Sequence, residues 1–149
     1  MQSLSRNAAL AAMIVSLGAG AFAAERRYVQ PRTAADKTNP PFSGGVFVGD
    51  TLYLAGMIGR DKDGKVPGDA KAEATLVLDQ VRATLKEAGL TMDDLVTVQI
   101  FCSDVSHYAA FNDVYRGYFK KEFPARAFIG SGKLLFDARF EVQGIAVKR

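Results

Sequence analysis

Apolar and polar positions alternate along the chain with two different periods, and those periods predict its elements. Ala74, Val77, Leu78, Val81, Leu85 and Ala88 recur three and four residues apart, the spacing of a helix that turns one face to a core. Asp69 is a suitable N-cap and Gly89 a suitable C-terminal stop. Lys71, Glu73, Asp79, Arg82, Lys86 and Glu87 fall between the apolar positions and are expected on the solvent face. A second helix is predicted from Ser106 to about Lys121, with Tyr108, Phe111, Tyr115, Tyr118 and Phe119 as an aromatic core stripe and Pro124 beyond its end.

Period-two and β-branched runs predict the strands. Val46-Phe47-Val48 and Leu52-Tyr53-Leu54 flank the turn pair Gly49-Asp50, which reads as a hairpin. Gly56 is expected to end the second of these strands, and a polar loop with Asp63-Gly64 and Pro67-Gly68 follows. Leu95–Cys102 has the length and composition of a central strand. Arg126–Gly130 and Arg139–Val147 complete the set, with an optional first strand near Tyr28-Val29-Gln30. The order β-β-α-β-α-β-β predicts an α+β fold, a mixed sheet with two helices packed on one face.

The N-terminus follows neither period. Arg6 precedes an apolar run from Ala8 to Leu17, and Ala21-Phe22-Ala23 has the A-x-A form of a cleavage site, so residues 1–23 read as a secretory signal peptide cut after Ala23. The run is shorter than the roughly 20 apolar residues that span a bilayer, so no membrane attachment is expected after cleavage. Residues 24–149 then form one domain, exported to an oxidising space such as the periplasm. Without Arg6 the chain has 18 basic and 16 acidic residues, a net +2. So small and dispersed a charge argues against a nucleic-acid partner. The single cysteine, Cys102, cannot form an internal disulfide and lies inside an apolar run, where a buried, inert thiol is expected. No cluster of metal-ligand residues stands out, and neither metal nor cofactor is expected.

Three segments together carry a family pattern: Phe111-Asn112-Asp113-Val114-Tyr115-Arg116-Gly117-Tyr118-Phe119, then Phe123-Pro124-Ala125-Arg126-Ala127, then Phe140-Glu141-Val142-Gln143-Gly144-Ile145-Ala146-Val147. With Pro40-Pro41-Phe42-Ser43, Ala55-Gly56 and Phe101-Cys102-Ser103-Asp104 ahead of them, in this order from about Asn39 to Val147, the chain resembles the RidA (YjgF, endoribonuclease L-PSP-like) family. The resemblance implies a chorismate-mutase-like protomer, a homotrimer with clefts between subunits, and hydrolysis of 2-imino and enamine acids to 2-oxo acids and ammonia. It implies that Arg126 grips the substrate carboxylate and that Gly56 and the backbone of Phe128 help hold it. It implies further that Glu141 positions the attacking water and that Asn112 occupies the family's helix-asparagine position.

The residue chemistry is compatible with those roles. A guanidinium is always charged and its planar fork matches a carboxylate, and an imine carbon needs little beyond orientation and a water activated by a carboxylate. Each residue also has an ordinary reading. Arg126 could be a surface or ion-pairing residue, Glu141 could pair with Arg139 or Lys133, and Asn112 could hydrogen-bond a neighbouring loop, the reading we favour for it. Four positions depart from the family: Phe42 replaces a tyrosine, Ala55 and Met57 of Ala55-Gly56-Met57 replace the Ser and Gln of Ser-Gly-Gln, and Phe128 replaces a small residue. These changes favour a less polar cleft and leave two alternatives to deaminase action, a non-catalytic trimeric binder of a small carboxylate and, third, a ribonuclease.

Overall fold

The computed structural model describes residues 24–30, 32 and 40–149; the expected signal segment lies outside these. Seven strands form one sheet, in the order β1 (Arg26–Val29), β2 (Gly45–Val48), β3 (Thr51–Leu54), β7 (Phe140–Val147), β5 (Leu95–Cys102) and β6 (Ala125–Gly130), with β4 (Met57–Ile58) also on β7. Among the described strands only β5 and β6 pair in parallel. A parallel neighbour requires a crossover, and the chain supplies it through α2 (Tyr108–Tyr115). Helix α1 (Ala70–Glu87) joins β4 to β5, and both helices pack on the same face of the mixed sheet, as the patterning predicts.

Local chemistry accounts for the elements that match expectation. In the hairpin Val48 pairs with Thr51, which leaves Gly49-Asp50 as a two-residue loop, and Gly49 takes the φ of +58° such a reversal favours. Asp69 caps α1 by accepting a bond from the Ala72 amide at 2.8 Å. Gly89, at φ +79°, closes it, with Leu90 N–H donating to the Leu85 carbonyl at 2.8 Å. Ala74, Val77, Leu78, Val81 and Leu85 from α1 meet Val98, Ile100, Phe140 and Val142 from the sheet in one core.

Three expectations need correction. Glu73 does not face solvent; it is fully buried. Its carboxylate accepts from the Arg139 and Phe140 amides at 2.6 and 3.0 Å and pairs with the Arg139 guanidinium at 2.8 Å. The second helix is also shorter than Ser106–Lys121: a 3-10 turn (Val105–His107) leads into α2, another (Arg116–Tyr118) ends it, and Phe119 is already extended. Gly117 disfavours further helix, and Asp93 accepts from the Lys120 amide at 3.0 Å, drawing the chain away. Finally, β3 ends at Leu54, just before Gly56 as expected, but the polar loop does not follow at once, because Met57 and Ile58 pair on β7 opposite Val142 and Glu141.

Cys102 is fully buried, its thiol donates to the Asp104 carbonyl at 3.0 Å, and burial pushes its pKa up, as expected of an inert thiol.

Candidate functional site

Strand register decides where the candidate residues point. Arg126 pairs with Val98 and Phe128 with Ile100, and Val98 and Ile100 are buried beneath the helices. Partners in register share a face, so the side chains of Arg126 and Phe128 lie on the helix side of the sheet. Glu141 pairs with Phe101, one residue out of phase with Ile100, and so projects from the opposite face. The two residues expected to act together are therefore separated by the sheet within one protomer.

The first half of the site lies where α2 ends beside β6. A pocket of about 210 Å³ is lined by Tyr108, Asn112, Tyr115, Arg116, Pro124 and Arg126, with Phe123 at its side. The Arg126 guanidinium carbon stands 4.7 Å from the Tyr115 ring centre and 5.8 Å from that of Tyr108, so aromatic faces hold the cation. Among the described residues no carboxylate lies within 4 Å of it, which removes the ion-pair reading. Among the described residues Asn112 bonds no loop; its amide meets the Tyr108 hydroxyl one turn away. That bond first, then the charge of Arg126, holds the Tyr108 phenol below its ordinary pKa. Burial pushes the Tyr115 phenol up to about 12, and its hydroxyl has no hydrogen-bond partner.

Phe128 does not narrow this pocket. Its ring sits edge-on to Tyr108 at 5.0 Å and to Phe111 at 5.7 Å, so its apolar surface packs at the margin of the core.

The second half is a separate groove of about 570 Å³, bordered by α1, where Phe42, Gly56, Met57, Arg60, Phe136 and Glu141 meet. Glu141 lies against the backbone of Gly56, and a Cβ at Gly56 would collide with its carboxylate Oε1. A side chain at this position would have to displace the Glu141 carboxylate. Neither proposed partner claims Glu141, because Arg139 pairs with Glu73 and Lys133 with Asp137, each at 2.8 Å. One wall is strained: Phe136 and Asp137 hold φ of +59° and +55°, costly for residues with a Cβ, and Arg60 stacks on the Phe136 ring at 4.2 Å. Sequence reasoning missed Tyr108, Arg116, Arg60 and Phe136. Tyr108, read as core, is half exposed at 49%; a helical stripe does not tell which of its edges looks outward.

Among the described residues Arg126 has no carboxylate within 4 Å and Glu141 no cation within 4 Å, and each lines a pocket of its own. The family model described as endoribonuclease L-PSP matches residues 32–148. The chain belongs to the RidA family. A 2-iminobutanoate/2-iminopropanoate deaminase of Dermatophagoides farinae is 36% identical over 109 residues, 72% of this chain and 85% of that one. Among solved structures of the family, the YjgF gene product of E. coli superposes with a TM-score of 0.70 at 34% identity, covering 73% of this chain and 89% of its own. E. coli TdcF with bound serine gives 0.71 at 28% identity, covering 75% and 91%. These likenesses agree with the mixed sheet and one-sided helices and with the chorismate-mutase-like fold the motifs imply.

Proposed function

We propose that the chain is a hydrolytic deaminase of 2-imino acids and their enamine tautomers, active as a homotrimer and exported by its first 23 residues to the periplasm. The observation that carries the reading is the Arg126 guanidinium, held on aromatic rings at the mouth of a small pocket with no carboxylate of its own among the described residues. Support for the substrate class comes from the name of the Dermatophagoides farinae relative and from the amino acid bound to TdcF.

Arg126 binds the substrate carboxylate through two parallel N–H bonds, which fixes the neighbouring imine carbon. Glu141 of an adjacent copy accepts a proton from water as the water oxygen bonds to that carbon, and the π pair of the C=N bond moves to nitrogen. Glu141 then returns its proton to the amine nitrogen, the C–N bond breaks with its electron pair leaving on ammonia as the hydroxyl oxygen closes the C=O bond, and the hydroxyl proton passes to the ammonia, so that the iminium and one water become a 2-oxo acid and ammonium. An enamine enters the same path after protonation at carbon. With Phe42 and Met57 in place of polar residues, orientation rests on the charged contacts and on the close packing of Gly56 against Glu141.

The test uses imino acids generated in place from the matching amino acids, with removal measured above the uncatalysed rate. Arg126→Ala is expected to lower kcat/KM by about 100-fold or more, the loss of two charge-assisted bonds. Glu141→Gln is expected to lower kcat by about 100-fold. Unchanged turnover in Arg126→Ala overturns the reading. Stabilisation of the chain by 2-oxo acids without any turnover favours the non-catalytic binder.

A further inference from the structure

The pocket beside Arg126 holds more positive charge and more donors than one carboxylate can use. Arg116, in the turn that ends α2, lines the same pocket and, like Arg126, has no carboxylate within 4 Å among the described residues. Asp113, its nearest acid along the chain, is taken by Lys71 at 2.8 Å. A cation at a helix C-terminus is favourable by itself, since it meets the negative end of the dipole. That explains why an arginine is tolerated here but not why it lines the pocket of Arg126. Tyr115, a residue only 3% exposed, lines the same pocket, and its buried hydroxyl has no hydrogen-bond partner. No acidic side chain lines the pocket. Both arginines also act on one group, the Tyr108 phenol, whose pKa Arg126 and, more weakly, Arg116 help to depress. Their charges therefore converge.

From this geometry we propose that the preferred ligands are small dicarboxylic acids, 2-imino acids of four or five carbons with a second carboxylate in the side chain. The α-carboxylate meets Arg126 and the side-chain carboxylate meets Arg116. A volume of about 210 Å³ has room for an acid of that size. The inference names the substrate class of the site and rests on the deaminase reading for its chemistry, but not for its binding.

The experiment compares kcat/KM for freshly generated 2-iminoglutarate and 2-iminopentanoate, which have the same number of carbons and differ in the distal carboxylate. The intact protein is expected to favour the diacid by about 10- to 100-fold, the effect of one charge-assisted bond. In Arg116→Gln the ratio should fall to near one, whereas the control Lys65→Gln, on the distant loop, should keep the intact ratio. A ratio near one in the intact protein, or a ratio unchanged by Arg116→Gln, overturns the proposal. Should no imino acid be turned over, the deaminase reading fails and thermal shifts decide the subsite. Stronger stabilisation by 2-oxoglutarate than by 2-oxopentanoate, lost in Arg116→Gln, supports it; equal shifts, or none, overturn it.

Discussion

Tyr115 joins the packing of the protein to its candidate chemistry. Its ring stacks on Phe111 at 5.8 Å and supports the Arg126 guanidinium at 4.7 Å, while its hydroxyl is buried without a partner. Burial raises its pKa from the ordinary 10 to about 12, so between those values the folded chain holds a proton that the unfolded chain has released. Stability is therefore complete below about pH 10 and falls as pH rises toward 12. Tyr118, whose pKa is also raised by burial and by its bond to Asp79 at 2.7 Å, adds to the same loss. Tyr115→Phe should make the decline shallower in alkaline denaturation and, by removing an orphan hydroxyl, should not lower stability at pH 7. Thermal melts of both proteins from pH 7 to 11 check this; an equally steep decline in the variant would show that Tyr115 is not the group responsible. At this scale the sequence made Arg126, Glu141 and Gly56 legible through their motif. Tyr108 and Arg116 were not legible, because their role depends on which edge of α2 meets β6.

The elements depend on one another most visibly at Glu73. Its carboxylate fastens α1 to the start of β7 through two backbone amides and the Arg139 guanidinium. Arg139 then reaches the Pro67 and Gly68 carbonyls at 2.8 and 2.7 Å, which fixes the loop before α1. Glu73→Ala leaves buried donors and a cation without their acceptor, so a loss of about 3–5 kcal/mol is expected, read as a lower urea midpoint. A change below about 1 kcal/mol would mean that water replaces the carboxylate. No periodicity could reveal this link, because the partners are 66 residues apart and a charged residue within a helix ordinarily faces solvent. The hairpin, α1, β5 and β7 were legible, since each carries its own turn, cap or alternation. The two-residue β4 was not, because only its register on β7 makes it a strand.

At the scale of the whole molecule, the sheet divides the site. Arg126 projects to the helix side and Glu141 to the open face, where Tyr53 and Ile129 remain 49% and 37% exposed. In one copy the two groups lie on opposite faces of the sheet, and in the proposed trimer a closed ring would set the Arg126 pocket of each copy against the Glu141 groove of the next. The proposed trimer therefore makes a prediction that a self-sufficient protomer does not. Arg126→Ala and Glu141→Gln should each be nearly inactive alone. When the two variants are unfolded, mixed in equal amounts and refolded together, a site regains both groups if its arginine comes from the Glu141→Gln chain and its carboxylate from the Arg126→Ala chain. Random assembly makes about a quarter of the sites of this kind, so about a quarter of the intact activity should return. If both groups served one substrate from the same chain, mixing would restore none, because every chain lacks one of them. Sedimentation of the mixture at the mass of three chains, together with that partial recovery, is the result the divided site requires.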